Sequence, residues 1–432
     1  MRNRKIGLNS ECNKLFSIWL IVIMKNIRVL WFSNTSSNYN SNSNVYNGGG
    51  WISSLEKEIK DLSLLKLGVS FFAQGESFKV EQNGVTYYPL SIDRSLKSRI
   101  KRFNNIQEQE AAQIAEMLKV IADFKPDVIH VFGSERIFGL ISYFTAIPVI
   151  IHLQGLINPY LNAYFPPSYS VLDLFAKKLA AIRNIIDYRG FKIVAKREEK
   201  ILRNCKFFMG RTDWDHRIAK LYSPGSKYFY CSEILREDFY LSDPWKCQDY
   251  GDGFRISSTI SSPFYKGADL LLKTAQILKD QTNIKFRWNV FGVDDLKCAE
   301  RKTGIAARDV FVRPKGVVSS LELSSELGRS NCYFHSSYID NSPNSICEAQ
   351  LLGLPVISTN VGGISSLIKN KISGMLLPAN DPFIGASFIE QLSKNQKLSL
   401  ELGASAREIA LKRHNKKSII KDISTAYASI RK

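Results

Sequence analysis

Ser337-Tyr338-Ile339-Asp340-Asn341-Ser342-Pro343-Asn344-Ser345-Ile346-Cys347-Glu348-Ala349-Gln350-Leu351-Leu352-Gly353-Leu354-Pro355-Val356-Ile357 is the stretch that decides the fold of this 432-residue chain. It reads as the end of a strand, a polar loop, a helix opening at Asn344, and a Gly-Leu-Pro turn into the next strand. Two strands joined through a helix form a parallel crossover, whereas antiparallel neighbours need only a tight turn. Asn344, Ser345 and Ile346 open the helix, so their unspent N–H groups and the positive end of the helix dipole offer a seat for a diphosphate. Glu348 follows one turn later, where a carboxylate can accept from a ribose diol. The next loop, Ser358-Thr359-Asn360-Val361-Gly362-Gly363, ends in two glycines that allow backbone to approach a ligand closely.

Working outward, the same alternation fills both halves of the chain. Short β-branched and aromatic runs at 27–32, 67–72, 85–88, 128–132 and 149–152 alternate with helical patterns, and runs at 255–258, 286–291, 310–312, 331–335, 356–358 and 375–377 repeat the scheme. The expected class is α/β, with two Rossmann-like, doubly wound domains facing a central cleft. We place an N-terminal domain at 24–240, an aperiodic Pro- and Gly-containing linker at 241–254, and a second domain at 255–413. A helix at 414–432 would then return to the first domain. Between the first strand and first helix lies a Ser/Asn-rich loop closing in Gly48-Gly49-Gly50, a weak anion-binding signal that reads equally as a flexible turn.

Composition bounds the partners. With 44% hydrophobic and 23% charged residues the chain is ordinary globular protein, but 59 Lys and Arg against 40 Asp and Glu leave a net charge of +19, a field that draws anions. The stretch 169–206 is the most basic helical segment and reads first as a solvated face, with a membrane surface or an anionic acceptor as the alternatives. No nucleic-acid recognition motif accompanies the charge. Seven dispersed cysteines without a CxxC pair point away from disulfide frameworks and thiolate metal sites and toward a reducing cytoplasm. Residues 1–23 imitate a signal peptide without a cleavage site; they read as an extension upstream of a start at Met24, with a short anchor as the alternative.

At Asp340, seven residues, Glu348, then Gly353-Leu354-Pro355-Val356-Ile357 and Gly362-Gly363, closing with Gly374 to Asp381, the chain resembles the retaining family-four (group 1) glycosyltransferases of GT-B fold. Lys266 in Phe264-Tyr265-Lys266-Gly267 matches the family's Lys-Gly element, Gly48 to Gly50 its glycine loop, and Pro126-Asp127-Val128-Ile129-His130 its Asp-x-Ile-His strand. The resemblance implies sugar transfer from a UDP- or GDP-sugar to a glycan or lipid-linked glycan in polysaccharide biosynthesis, with no metal and no cofactor beyond the donor. It implies that Lys266, the helix N–H groups and the glycine loop meet the diphosphate, that Glu348 grips ribose, and that Asp340 sits near the donor sugar. His130 and His152 are candidates for contact with substrate hydroxyls, or histidines satisfied at strand ends. A cytoplasmic site, peripheral on the anionic inner membrane face, would suit the basic surface.

Four departures stand out. Asp340 replaces the family's usual Glu, and Ser261 stands where an arginine is frequent. His152-Leu153-Gln154-Gly155 replaces a His-Gly or His-Asp pair. The usual Asn-Gly-Val-Asp hinge is Glu233-Ile234-Leu235-Arg236, preceded by Arg211-Thr212-Asp213-Trp214-Asp215, which reads as an acceptor element or a capped helix start. The competing class is a non-catalytic protein that binds a polyanion or a nucleotide-sugar.

Overall fold

A computed structural model describes residues 27–39, 50–60, 62, 65–92, 105–175, 181–248, 251, 253–261 and 264–431. The readings of residues 1–23, Gly48 and Gly49 lie outside the described residues.

The first sheet contains β1 (Ile27–Phe32), β2 (Leu65–Ala73), β3 (Val80–Gln82), β4 (Val85–Ser91), β5 (Val128–Phe132), β6 (Val149–His152), β7 (Phe207–Gly210) and β8 (Lys227–Tyr230). Their order across the sheet is β3-β4-β2-β1-β5-β6-β7-β8. β1 is buried at every position but Arg28, as expected of a parallel strand covered on both faces. The expectation of a wholly parallel sheet fails at one edge, where β3 runs antiparallel to β4. Asn83 and Gly84 adopt φ of 52° and 78°, the positive pair that a two-residue hairpin turn demands, and so fold this segment back on itself.

The second sheet contains β9 (Phe254–Thr259), β10 (Phe286–Phe291), β11 (Val312–Gly316), β12 (Cys332–His335), β13 (Val356–Thr359) and β14 (Met375–Leu377), in the order β11-β10-β9-β12-β13-β14. Every described pair in it is parallel. β11 starts later than its apolar run, because Ala307–Val310 winds as a 3-10 turn and Phe311 takes φ 58° before the chain extends.

Each sheet reverses its winding direction once: β1 lies between β2 and β5, and β9 between β10 and β12. Loops diverge at such a point and leave a crevice at the carboxyl ends of the strands. In the second sheet the two loops are 260–267, after β9, and 336–343, after β12, so the topology alone brings Lys266 to the Asp340 segment. The carboxyl ends of the two sheets face each other. Thr212 Oγ1, beyond β7, donates to Asn341 Oδ1 at 2.6 Å, and Asn341 Nδ2 donates to Gln154 O at 3.1 Å and Asp215 Oδ2 at 2.9 Å.

The C-terminal helix Lys416–Ile430 packs Ile419, Ile423, Tyr427 and Ile430 into the core formed by Ile27, Trp31 and Trp51 of the first sheet's side. The connection read as a linker is fastened to the second sheet's side: Trp245 Nε1 donates to Ser330 O at 2.6 Å. Among the described residues, no helix is long and apolar enough to cross a membrane.

Candidate active site

Lys266 ends a short 3-10 turn, Phe264–Lys266, immediately before helix Ala268–Gln281. Its Nζ lies 2.6 Å from Asp340 Oδ2. Gly267 permits this junction: at φ +74° it presses against the end of β12, where a Cβ would stand only 1.9 Å from Ser336 O. Asp340 is 5% exposed and collects partners from both domains. Its Oδ1 accepts from Asn341 N at 3.2 Å and from Tyr160 Oη at 3.3 Å, and its Oδ2 accepts from Ser337 Oγ at 3.3 Å. His335 Nε2 stands 3.4 Å from the same oxygen. Burial alone would raise the Asp340 carboxyl; Lys266 and His335 reverse that and hold it well below the usual carboxylate range.

Gly362 and Gly363 make room within the protein itself. Cβ atoms on them would lie 1.9 Å from Asp340 O and 2.3 Å from Asn341 O, so the glycine pair admits the protein's own Asp340 loop. Gly267 and Gly362 thus clamp 336–341 from two sides, fixing the carboxylate through its backbone.

Helix Asn344–Leu352 opens after Pro343, with no side chain capping it. Of the three residues expected to offer N–H groups, Ile346 turns its own back to Pro343 O at 3.0 Å. Asn344 and Ser345 therefore carry the open end of the helix. Glu348, one turn in, is 2% exposed. It receives two hydrogen bonds of 2.7 Å from Arg236 Nε and Nη2, one on each oxygen. Burial raises the Glu348 carboxyl and Arg236 offsets part of the rise.

The two histidines are not brought to this cluster. His130 is fully buried, its Nδ1 paired with Tyr427 Oη at 2.6 Å and its ring stacked 4.1 Å from Phe132. His152 is equally buried, 5.1 Å from the Trp51 ring and 5.3 Å from His130. Burial lowers both, His130 to about 3, which keeps them neutral core residues. Gly50, the one described member of its triplet, begins helix Gly50–Ile59 and lies against the stem of Arg236. The 211–215 cluster is a helix start: Thr212 and Asp215 form a reciprocal capping box, and the same two side chains also tie down Asn341.

A buried ionic seam closes the floor between the domains. Arg211 Nε lies 3.4 Å from Glu233 Oε2, and Ser342 Oγ donates to Glu233 Oε1 at 2.8 Å. Glu233, Cys347 and His414 bring possible ligand atoms within 4.8 Å of one another. Arg211 and Arg413 add positive charge there: burial raises Glu233, and Arg211, His414 and Arg413 together bring it down to about 2. Two arginines already offset the one carboxylate, which argues for an ion-pair cluster rather than a cation seat. A surface depression of about 710 Å³, lined by Asp294 to Lys297 and Phe311 to Pro314, shares no residue with the Lys266–Asp340–Glu348 cluster.

Sequence reasoning missed Tyr160, His335, Asn341 and Arg236. Arg236 left a trace as a departure from the hinge pattern, His335 and Asn341 stand beside Asp340 in the chain without a pattern that marks them, and Tyr160 meets the site from 180 residues away.

Residues 260–409 match the family described as glycosyl transferases group 1. An amylovoran biosynthesis glycosyltransferase, AmsK, of Erwinia amylovora is 29% identical over 193 residues, 42% of this chain and 46% of that protein. A D-inositol 3-phosphate glycosyltransferase of Corynebacterium diphtheriae is 30% identical over 110 residues, 26% of this chain and 25% of that protein. The chain therefore spans about half or less of the curated relatives it matches. In three dimensions, sucrose-phosphate synthase of Thermosynechococcus elongatus superposes with a TM-score of 0.69 at 14% identity, over 94% of this chain and 99% of that one. Anabaena HepE, solved with UDP-glucose, gives 0.61 at 14% identity over 93% and 100% of the two chains. These likenesses show the GT-B fold. Residues 260–409 thus match the group 1 glycosyl transferases, and they lie in a chain whose fold of two facing parallel sheets is that of the GT-B structures it resembles.

Proposed function

We propose that the protein transfers a glycosyl group from a nucleoside-diphosphate sugar to a glycan or lipid-linked glycan in polysaccharide biosynthesis, with retention at the anomeric carbon and without a metal. The observation that carries this reading is the Lys266–Asp340 pair at the crevice of the second sheet, followed by the open end of helix Asn344–Leu352. In the reaction the C1–O bond to the diphosphate breaks with its electron pair leaving on the diphosphate. The acceptor hydroxyl oxygen bonds to C1, and its proton passes to the departing phosphate. Lys266 and the N–H groups of Asn344 and Ser345 meet the negative charge as it grows, which lowers the barrier most where water is excluded. Asp340, held by both domains, orients the donor sugar, and Glu348 takes the ribose hydroxyls.

The acceptor and its membrane setting belong to the same proposal. Leu172 and Ile182, 78% and 73% exposed, flank the entry to basic helix Ala181–Asn204, a combination that favours an anionic lipid surface.

Thermal stabilisation by panels of UDP-, GDP- and ADP-sugars tests the donor site. One nucleotide class should raise the melting temperature, and Lys266→Ala and Glu348→Ala should each abolish the shift. No shift with any donor, together with salt-sensitive binding to RNA or acidic vesicles, would return the protein to the polyanion-binding class.

A further inference from the structure

Glu348 is held by a residue from the other side of the cleft. Arg236 follows β8 in the connection that leaves the first sheet, at the place where the resemblance expects an acidic hinge residue. Its guanidinium meets the carboxylate as a fork, Nε on Oε1 and Nη2 on Oε2, both at 2.7 Å. The stem is fixed as well. A Cβ on Gly50 would lie 3.1 Å from Arg236 Cγ, and the guanidinium stands 5.0 Å over the Phe239 ring. Arg236 thus runs from the glycine loop of one domain to the carboxylate of the other.

We infer that Arg236 is a positioning residue for nucleotide recognition: its fork fixes the plane of the Glu348 carboxylate and leaves an outward lone pair as the acceptor for a ribose hydroxyl. The inference rests on the proposed reading of Glu348 as the ribose acid. An ionised carboxylate offers about four acceptor positions, and a planar fork uses one on each oxygen. The positions that remain point outward and away from each other, so one oxygen receives a ribose hydroxyl in a plane the protein has already set. A lysine supplies the charge without the plane. Without either, burial and the nearby Glu233 charge raise the Glu348 carboxyl with no Arg236 charge to offset them, which favours its protonated form. One oxygen would then be a donor, and the diol would lose an acceptor.

The test is calorimetric binding of UDP, GDP or ADP, whichever the wild type accepts, and of its 2′,3′-dideoxy form, at pH 6 and pH 8. Wild type should prefer the ribose form by about tenfold or more at both pH values, and Glu348→Gln should lose most of that preference. Arg236→Met should reduce the preference to about threefold or less at pH 6 and recover part of it at pH 8. Arg236→Lys should remove the pH dependence yet leave the preference below that of wild type. If either Arg236 variant keeps the full preference at both pH values and loses only melting temperature, Arg236 is a structural strut and the inference is wrong. A wild type that binds a nucleotide without preferring ribose overturns the role of Glu348, and with it this inference. A wild type that binds none overturns the donor-site reading itself.

Discussion

Replacing Gly267 by alanine tests how the site is assembled. Gly267 has φ +74°, and the added Cβ would lie 1.9 Å from Ser336 O, against a floor of 3.0 Å for real contacts. Two costs combine. The left-handed backbone costs an alanine about 1–2 kcal/mol, partly offset by the stiffer unfolded chain. The overlap forces the Lys266 turn and the end of β12 apart by about 1 Å, and overpacking of this kind costs about 1–3 kcal/mol. A net loss of about 2–4 kcal/mol should lower the melting temperature of the second domain by roughly 5–12 °C. Gly304 provides the control, since it has φ +72° with nothing within 4 Å of its would-be Cβ. Gly304→Ala carries the backbone cost alone, about 1–2 kcal/mol with the same partial offset. Function gives a second readout. The Lys266 Nζ to Asp340 Oδ2 distance of 2.6 Å lies across the displaced junction, and an error of about 1 Å in such a pair can cost about 100-fold in rate. Scanning calorimetry of both variants with donor-stabilisation assays checks the expectation. If Gly267→Ala melts within about 2 °C of Gly304→Ala and binds donor normally, the backbone approach to β12 is not what builds this site.

Two further outcomes follow from the charges. Lys266→Met should destabilise the protein at pH 7 by about 2–3 kcal/mol, below the range for a fully buried pair because Lys266 is partly exposed. In wild type the depressed Asp340 carboxyl contributes stability above the ordinary aspartate range that is lost as acid titrates it; in the variant burial raises the group, so that contribution should vanish or reverse between pH 4 and 7 in melting curves. His130, His152 and His414 are all buried with lowered pKa, His130 to about 3 and His414 to about 4. The unfolded chain protonates them near pH 6.5, so stability should decline progressively as pH falls below about 6.5. His130→Gln should flatten that decline while leaving nucleotide affinity within about twofold; a larger loss of affinity would place His130 in the site after all.

The sequence by itself determined whatever depends on neighbours along the chain. Alternating apolar runs and helices dictated parallel, doubly wound sheets, and the run from Asp340 through Pro355 placed a helix opening beside a carboxylate. Lys266 before Gly267 was readable for the same reason, since a strand-to-helix junction is a local object. Where local chemistry went unread, the reading slipped: Asn83-Gly84 turned one edge strand antiparallel, and the left-handed Phe311 delayed β11. Only the tertiary structure decided what the site residues touch. His130 looks like a strand-end candidate until helix Lys416–Ile430, some 300 residues on, brings Tyr427 against it. Gly362 and Gly363 read as room for a ligand, and the structure adds that the Asp340 loop packs against both. Tyr160 and Arg236 reach Asp340 and Glu348 across the cleft from segments 180 and 112 residues away. Such contacts arise from burial and charge pairing between elements, which spacing along one chain does not encode.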